Sequence, residues 1–163
     1  MVALDVPPER QAARVVVLDP SGAVLLLAGR DPTQPEAAPF WIVPGGGVAN
    51  GEPVADAGRR EVYEETGTRL DELGPPVWTR SADFVFDGRA YRQRETFFVV
   101  RARRFAVSPA TWTEDERRFI TGWRWWPLAE LEVTGEVVYP SKLASLIGRW
   151  LVQGPPVSPE TIV

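Results

Sequence analysis

GGVANGEPVADAGRREVYEETG, residues 46–67, combines a glycine entry, an isolated glutamate and an acidic helical segment. Residues three and four apart share a helix face, so Glu61 lies beside both Glu64 and Glu65. Arg60 flanks the same stripe. Like charges at these spacings destabilise a helix by roughly 0.2–0.5 kcal/mol per pair. A hard divalent cation removes that penalty, because Mg²⁺ binds carboxylate oxygens together with water and phosphates. The pattern indicates a metal–diphosphate site, against the alternative of a solvated acidic helix face.

The residues around this cluster predict a strand, a glycine loop and a helix, in that order. Phe40–Val43 is an apolar run typical of a strand, and the glycines Gly45–Gly47 end it. Pro53 is expected in the first turn of the helix, with Asn50 or Gly51 near the N-cap. Gly67 is expected to end it, because glycine adopts the left-handed conformation without a steric penalty.

Eight residues at fixed spacing match the motif of a known family. They are Gly46, Glu52, Arg60, Glu61, Val62, Glu64, Glu65 and Gly67. This spacing resembles the box of the Nudix hydrolases, although Thr68 stands where the box has an aliphatic residue. The segments WIVPGGG and WRWWPLAEL also resemble Nudix sequences, so the resemblance extends from about Arg14 to Trp150. It implies an α+β fold, a Nudix-type α/β/α sandwich with a mixed β-sheet.

The resemblance also implies an activity and a cofactor. A Nudix pyrophosphohydrolase would use Mg²⁺ or Mn²⁺ to hydrolyse a nucleoside diphosphate linked to another moiety. The metal ligands that the resemblance implies are Glu61, Glu64 and Glu65. Arg60 is expected to orient these glutamates through a two-point hydrogen-bonded pair. The glycines Gly45, Gly46 and Gly47 would let the backbone turn sharply and keep the loop clear of the phosphates. Glu52 would either buttress the loop or belong to an outer metal shell.

A catalytic base is expected outside the box, in the segment TWTEDERRF. The resemblance implies a downstream loop glutamate, and Glu116 is preferred over Glu114 because Arg-Arg and the WRWW segment follow it. An alternative remains open, since Thr113-x-x-Glu116 is also a capping-box signature. In that case Glu116 would hold the start of a short helix.

Composition limits the chemistry and the partners. The chain has no histidine and no cysteine, which excludes Ser-His-Asp triads, Cys-His dyads and zinc sites built from these residues. The net charge of −4 argues against a nucleic-acid partner, and the expected partner is a nucleotide-type small molecule. No apolar run predicts a membrane segment, so we expect a cytoplasmic protein. A homodimer is left open.

The 163 residues suit one domain, predicted over residues 1–154, with a flexible tail at 155–163. Two hairpins, one further strand and a C-terminal helix are expected outside the box. The hairpins are Arg14–Asp19 with Val24–Ala28 and Asp83–Phe86 with Tyr91–Arg101, the strand is Thr121–Trp126, and the helix follows Pro140 and ends near Gly154. Arg92 and Arg94 share one face of a strand, where they either grip a phosphate or face solvent.

Two other classes of function stay open from the sequence alone. A Nudix-fold module could bind a nucleotide metabolite without cleaving it, and an interaction protein could carry an acidic helix by chance. The intact box favours the enzyme over both. Substrate identity is not assigned, because the sequence lacks the additional residues that mark the ADP-ribose and dinucleoside-polyphosphate branches.

Overall fold

The computed structural model describes residues 6–163, in which nine strands and four helices are connected in one sheet-based architecture. The strands are β1 (Glu9–Leu18), β2 (Val24–Gly29), β3 (Phe40–Ile42), β4 (Gly45–Gly47), β5 (Trp78–Phe86), β6 (Arg89–Arg101), β7 (Ile120–Trp126), β8 (Val137–Tyr139) and β9 (Glu160–Thr161). The helices are α1 (Val54–Thr66), α2 (Glu114–Phe119), α3 (Leu128–Val133) and α4 (Leu143–Gln153), with a 3₁₀ turn at Pro109–Thr111.

The strands form one mixed sheet in the order β8-β3-β2-β1-β6-β5-β9, with β7 paired to β2 and β4 paired to β1. The β1–β6, β3–β8 and β5–β9 pairs are parallel, and the others are antiparallel. Both predicted hairpins are present, since β1 pairs antiparallel with β2 and β5 pairs antiparallel with β6. The predicted strand Thr121–Trp126 corresponds to β7, and the predicted C-terminal helix corresponds to α4.

The two faces of β1 pack against different helices, because side chains alternate along a strand. Val15 and Val17 pack with Val62 of α1 on one face. Val16 and Leu18 pack on the other face, in a cluster that contains residues of α3 and α4. Helices therefore cover both sides of the sheet, which confirms the predicted α/β/α sandwich.

The α1 helix ends as predicted and begins later than predicted. Gly67 has φ 78° and donates its N–H to the Tyr63 carbonyl, which is the left-handed stop expected of glycine. The N-cap is Pro53 itself, so the prediction of Pro53 in the first turn, with Asn50 or Gly51 near the N-cap, was wrong. The reason is a turn in which the Glu52 N–H donates to the Ala49 carbonyl at 3.0 Å, so the helix starts only after this turn closes.

The glycine segment before α1 is a strand in the structure, and the predicted loop was wrong. Gly45, Gly46 and Gly47 form β4 and lie opposite Arg14, Ala13 and Ala12 of β1, respectively. This edge of β1 is shared, since β2 pairs with its C-terminal end at Leu18. The arrangement places β4 in the sheet directly before α1.

The C-terminal residues contain one more element. Glu160 and Thr161 pair with Trp78 and Thr79 of β5, and Arg149 of α4 forms an ion pair with Glu160. The flexibility predicted for the remainder of residues 155–163 stays a prediction. Within residues 6–163, no helix is long and apolar enough to cross a membrane.

Candidate metal and catalytic site

Three glutamates from two helices converge beside β4. Glu61 and Glu64 of α1 and Glu116 of α2 each offer one carboxylate oxygen, and these three atoms lie within 4.8 Å of one another. The donors are all carboxylate oxygens, which are the ligands that Mg²⁺ and Mn²⁺ prefer. The donor set therefore fits the hard divalent cation expected from the sequence.

Glu116 forms the predicted capping box and also lies beside Glu61 and Glu64. Its Oε1 accepts the Thr113 N–H at 3.0 Å, and its own N–H donates to Thr113 Oγ1 at 3.2 Å, which completes the capping box. The same side chain lies with Glu61 and Glu64. Burial, together with the nearby charge of Glu64, raises the pKa of Glu116. The hydrogen bond from the Thr113 N–H therefore fixes the Glu116 carboxylate beside Glu61 and Glu64.

Glu114, the alternative base, is exposed on the first turn of α2, whereas Glu116 is buried. The cluster of three carboxylates contains Glu116 and does not contain Glu114. Of the two candidates for the base, Glu116 is therefore the one that lies with Glu61 and Glu64, and its catalytic role stays a prediction.

Glu65, predicted as a metal ligand, has different surroundings. It is buried, and its Oε1 accepts the Gly45 N–H at 2.9 Å. Burial raises the pKa of Glu65 well above its usual range, and the charge of Glu61 adds to this rise. The structure thus joins Glu65 to the backbone of β4 rather than to the cluster of three, and its role as a ligand stays a prediction.

Arg60 donates hydrogen bonds to three glutamates of the site. Its Nη1 donates to Glu61 Oε1 at 3.1 Å and to Glu64 Oε1 at 3.2 Å. Its Nε and Nη2 donate to the two oxygens of Glu52, at 2.9 and 3.0 Å, and Nη2 also donates to the Gly47 carbonyl at 3.0 Å. The expected two-point pair therefore exists, but Glu52 is its partner. One nitrogen of the same guanidinium contacts both candidate ligands, so Arg60 is placed to orient them.

The contacts of Glu52 match the buttress interpretation. Besides pairing with Arg60, Glu52 accepts the Ala49 N–H at 3.1 Å and so closes the turn before α1. The hydrogen bond from Arg60, followed by the one from Ala49, lowers the pKa of Glu52 to about 2. Glu52 is thus held as a carboxylate that ties α1 to the preceding turn.

Two of the three glycines are required by close contacts. A Cβ on Gly45, which has φ 151°, would lie 2.0 Å from the Ala13 carbonyl oxygen. A Cβ on Gly46 would lie 2.7 Å from the Glu61 carboxylate, whereas the nearest atom to a Cβ on Gly47 is 3.7 Å away, on Arg10. Gly45 and Gly46 therefore allow β1 and Glu61 to lie close to β4. The role expected for the three glycines beside the phosphates stays a prediction.

A buried ionic group behind β4 was missed by sequence reasoning. Glu95 of β6 is 1% exposed and accepts hydrogen bonds from Arg14 at 3.0 Å and Arg80 at 2.7 Å. Arg14 also donates to the Gly45 carbonyl at 3.3 Å. Burial alone would raise the pKa of Glu95, but the two arginines hold it below its usual value. These residues come from three strands, so no local spacing reveals the group.

The arginines of the second hairpin are exposed. Arg92 donates to the Asp83 carboxylate at 3.3 Å across β5 and β6, and Arg94 is exposed on the same face. This pairing matches the solvated-face interpretation rather than a phosphate grip.

Comparisons with known proteins bear on the same residues. The family model described as "NUDIX domain" matches residues 8–145. An RNA pyrophosphohydrolase of Caulobacter vibrioides is 35% identical over 154 residues, covering 87% of this chain and 84% of the relative. An RNA pyrophosphohydrolase of Nitrobacter winogradskyi is 29% identical over 148 residues, covering 85% of this chain and 86% of the relative.

Solved structures agree with these sequence relatives in fold. A MutT protein from Methanosarcina mazei Go1 has a TM-score of 0.62 at 18% identity, covering 93% of this chain and 98% of that chain. A MutT NUDIX hydrolase from Burkholderia pseudomallei has a TM-score of 0.62 at 21% identity, covering 85% of this chain and 96% of that chain. At these identities the likeness establishes the fold alone.

Proposed function

Because this chain belongs to the NUDIX family, we propose that it is a divalent-metal-dependent pyrophosphohydrolase acting on a nucleoside diphosphate linked to another moiety. The observation that carries the proposal is the set of carboxylate oxygens from Glu61, Glu64 and Glu116 within 4.8 Å of one another. These residues come from two separate helices, so the convergence is a property of the fold and not of one acidic segment.

Glu61 and Glu64 would hold the cation, with Glu65 behind them as the further ligand that the family box implies. When bound, a divalent cation neutralises diphosphate charge and lowers the pKa of the attacking water. Arg60 keeps the two carboxylates in one orientation through its shared Nη1. Its pairing with Glu52 prevents the guanidinium from swinging away.

Glu116 is the residue we assign as general base. Its carboxylate lies beside those of Glu61 and Glu64, where it can accept a proton from water at the same cluster. Glu116 would take one proton from the attacking water while a new P–O bond forms. The P–O bond to the leaving phosphate group breaks, and the oxygen of the leaving group keeps the bonding electrons.

The substrate to test first is the 5′ end of a triphosphorylated RNA, because the two relatives above are named RNA pyrophosphohydrolases. Such an end contains a nucleoside diphosphate linked to a further phosphate, which is the substrate class proposed here. The sequence prediction of no nucleic-acid partner stands against this choice. Recognition of one RNA end needs a local site only, which a net charge of −4 does not prevent. A cytoplasmic location and a homodimer stay predictions.

The test is a substrate panel measured with Mg²⁺, with Mn²⁺ and with EDTA. It contains a 5′-triphosphorylated RNA, nucleoside triphosphates, ADP-sugars and dinucleoside polyphosphates, and the readout is the release of phosphate, pyrophosphate or nucleotide. We expect metal-dependent turnover of at least one class. Tight nucleotide binding without turnover of any of them would instead support the binding module.

A further inference from the structure

The tip of the β5–β6 hairpin contacts the short helix that carries Glu116. Arg118 of α2 donates through Nη1 and Nη2 to the two carboxylate oxygens of Asp87, at 2.9 and 3.0 Å. Beside this pair, the rings of Phe86 and Phe119 meet edge to face with centroids 5.6 Å apart. The hairpin lies on one side of β1, whereas α2 leads into β7 on the other side. The contact therefore joins two parts of the sheet that lie on opposite sides of β1.

The hairpin tip is itself held in one position. The Asp87 N–H donates to Asp31 Oδ2 at 3.2 Å, in the connection between β2 and β3. Asp31 is fixed in turn by the Thr33 N–H at 2.9 Å and the Thr33 hydroxyl at 2.7 Å. Asp87 has φ 50°, a left-handed conformation that aspartate and asparagine adopt more readily than most residues. The tip thus offers α2 a defined partner.

The α2 helix depends on such partners for its position. It has six residues, far fewer than the roughly 12–15 that an isolated helix needs to be even marginally stable in water. Thr113 caps its start, and the Phe119 carbonyl accepts the Arg30 N–H at 2.9 Å at its end. Arg118 lies between these anchors and follows Glu116 by two residues. A shift of Arg118 would therefore move the turn that carries Glu116.

We propose that Asp87 is a positioning residue, which sets Glu116 within the carboxylate cluster by holding Arg118. The proposal rests on the proposed function, because it assigns Asp87 a part in the same reaction. Arg118 and Asp87 are both partly exposed, and exposed ion pairs contribute little to global stability. Loss of the pair should therefore lower turnover while leaving the melting temperature nearly unchanged.

The experiment uses Asp87→Asn, Arg118→Gln and the double variant. Asparagine keeps the left-handed backbone and the side-chain volume while removing the charge. The matched control is Asp83→Asn, which removes the charged partner of Arg92 on the same hairpin, away from α2. Two readouts are taken for each variant. They are kcat on the substrate that the wild type cleaves, and hydrogen exchange of the Arg117 and Ile120 amides, which donate to the Thr113 and Glu116 carbonyls.

We expect each single variant and the double variant to lower kcat by the same factor of roughly 3–10, since residues of one contact are not additive. Exchange of both α2 amides should become faster by a similar factor, and Asp83→Asn should change neither readout. In a Glu116→Gln background, Asp87→Asn should have no further effect on kcat. An Asp87→Asn protein with wild-type exchange and wild-type kcat would overturn the proposal. An equal loss of kcat in the Glu116→Gln background would also overturn it, because Asp87 would then act independently of Glu116.

The experiment distinguishes failure of the proposed function from failure of the positioning role proposed for Asp87. If the wild type cleaves no member of the substrate panel, the proposed activity is wrong, and amide exchange alone decides whether Asp87 holds α2. Faster exchange in Asp87→Asn and Arg118→Gln would then support the contact, and unchanged exchange would overturn it.

Discussion

Replacing Gly46 with alanine should remove activity while leaving the fold intact. The added Cβ would lie 2.7 Å from the Glu61 carboxylate, and ordinary contact begins at 3.4 Å, so the carboxylate must move by 3.4 − 2.7 = 0.7 Å or more. A misplacement of about 1 Å at a reacting centre can cost on the order of 10²-fold in rate. We therefore expect kcat to fall by roughly 10²-fold.

The stability change in Gly46→Ala should be small, because the group that must move is the end of a flexible side chain. Alanine also reduces the entropy of the unfolded chain, which offsets part of the strain by about 0.4–1 kcal/mol. The free energy of unfolding should therefore change by no more than about 1 kcal/mol, measured by urea denaturation.

The neighbouring glycines supply graded controls for this prediction. At Gly47 the nearest atom to a new Cβ is 3.7 Å away, so Gly47→Ala should keep both activity and stability. At Gly45 the Cβ would meet the backbone oxygen of Ala13 at 2.0 Å, so Gly45→Ala should destabilise the fold strongly. Near-normal turnover by Gly46→Ala, or an equal loss in Gly47→Ala, would refute the reasoning.

Three further substitutions test the remaining contacts of the site. Arg60→Lys should lower kcat nearly as much as Arg60→Ala, because an ammonium group cannot make the two-point pair with Glu52 while also reaching Glu61. Steady-state kinetics that show most activity retained in Arg60→Lys would make Arg60 a simple counter-charge. The pKa of Glu52 is about 2 in the fold against an ordinary 4.5, so its stabilising contribution is complete above pH 4.5 and is lost as pH falls from there towards 2. The melting temperature of Glu52→Gln should therefore depend less on pH in this window than that of the wild type, and parallel curves would contradict this role of Glu52. Glu116→Gln should lower kcat sharply with an unchanged melting temperature, since glutamine still fills the capping box with Thr113. An unchanged kcat would show that Glu116 is not the base.

The local part of the site could be predicted from the sequence because helical spacing alone relates its members. The interval of three residues between Glu61 and Glu64 puts them on one face of any helix. Gly67 ends that helix for a reason that is equally local, namely its access to positive φ. Both hairpins followed from turn residues between apolar runs.

The long-range part could not be predicted in the same way. The pairing of β4 with β1 joins residues more than 30 positions apart, so the need for glycine at 45 and 46 appears only when Ala13 and Glu61 are in place. Glu95 gives no local signal, since its partners Arg14 and Arg80 lie on other strands. Glu116 is intermediate, because its capping box is local while its approach to α1 depends on the fold.

The central claim is that Glu61 and Glu64 hold a divalent cation at the carboxylate cluster and that the protein cleaves a pyrophosphate bond. The most direct test is the rate of product release as Mg²⁺ is titrated into wild type and Glu64→Gln. Wild type should show saturable metal dependence that EDTA abolishes. Glu64→Gln should lose several orders of magnitude in kcat with a nearly unchanged melting temperature, because the substitution removes both the repulsion from Glu61 and the attraction of Arg60, which oppose each other. Full turnover by Glu64→Gln at saturating Mg²⁺, or wild-type turnover that persists in EDTA, would contradict the claim.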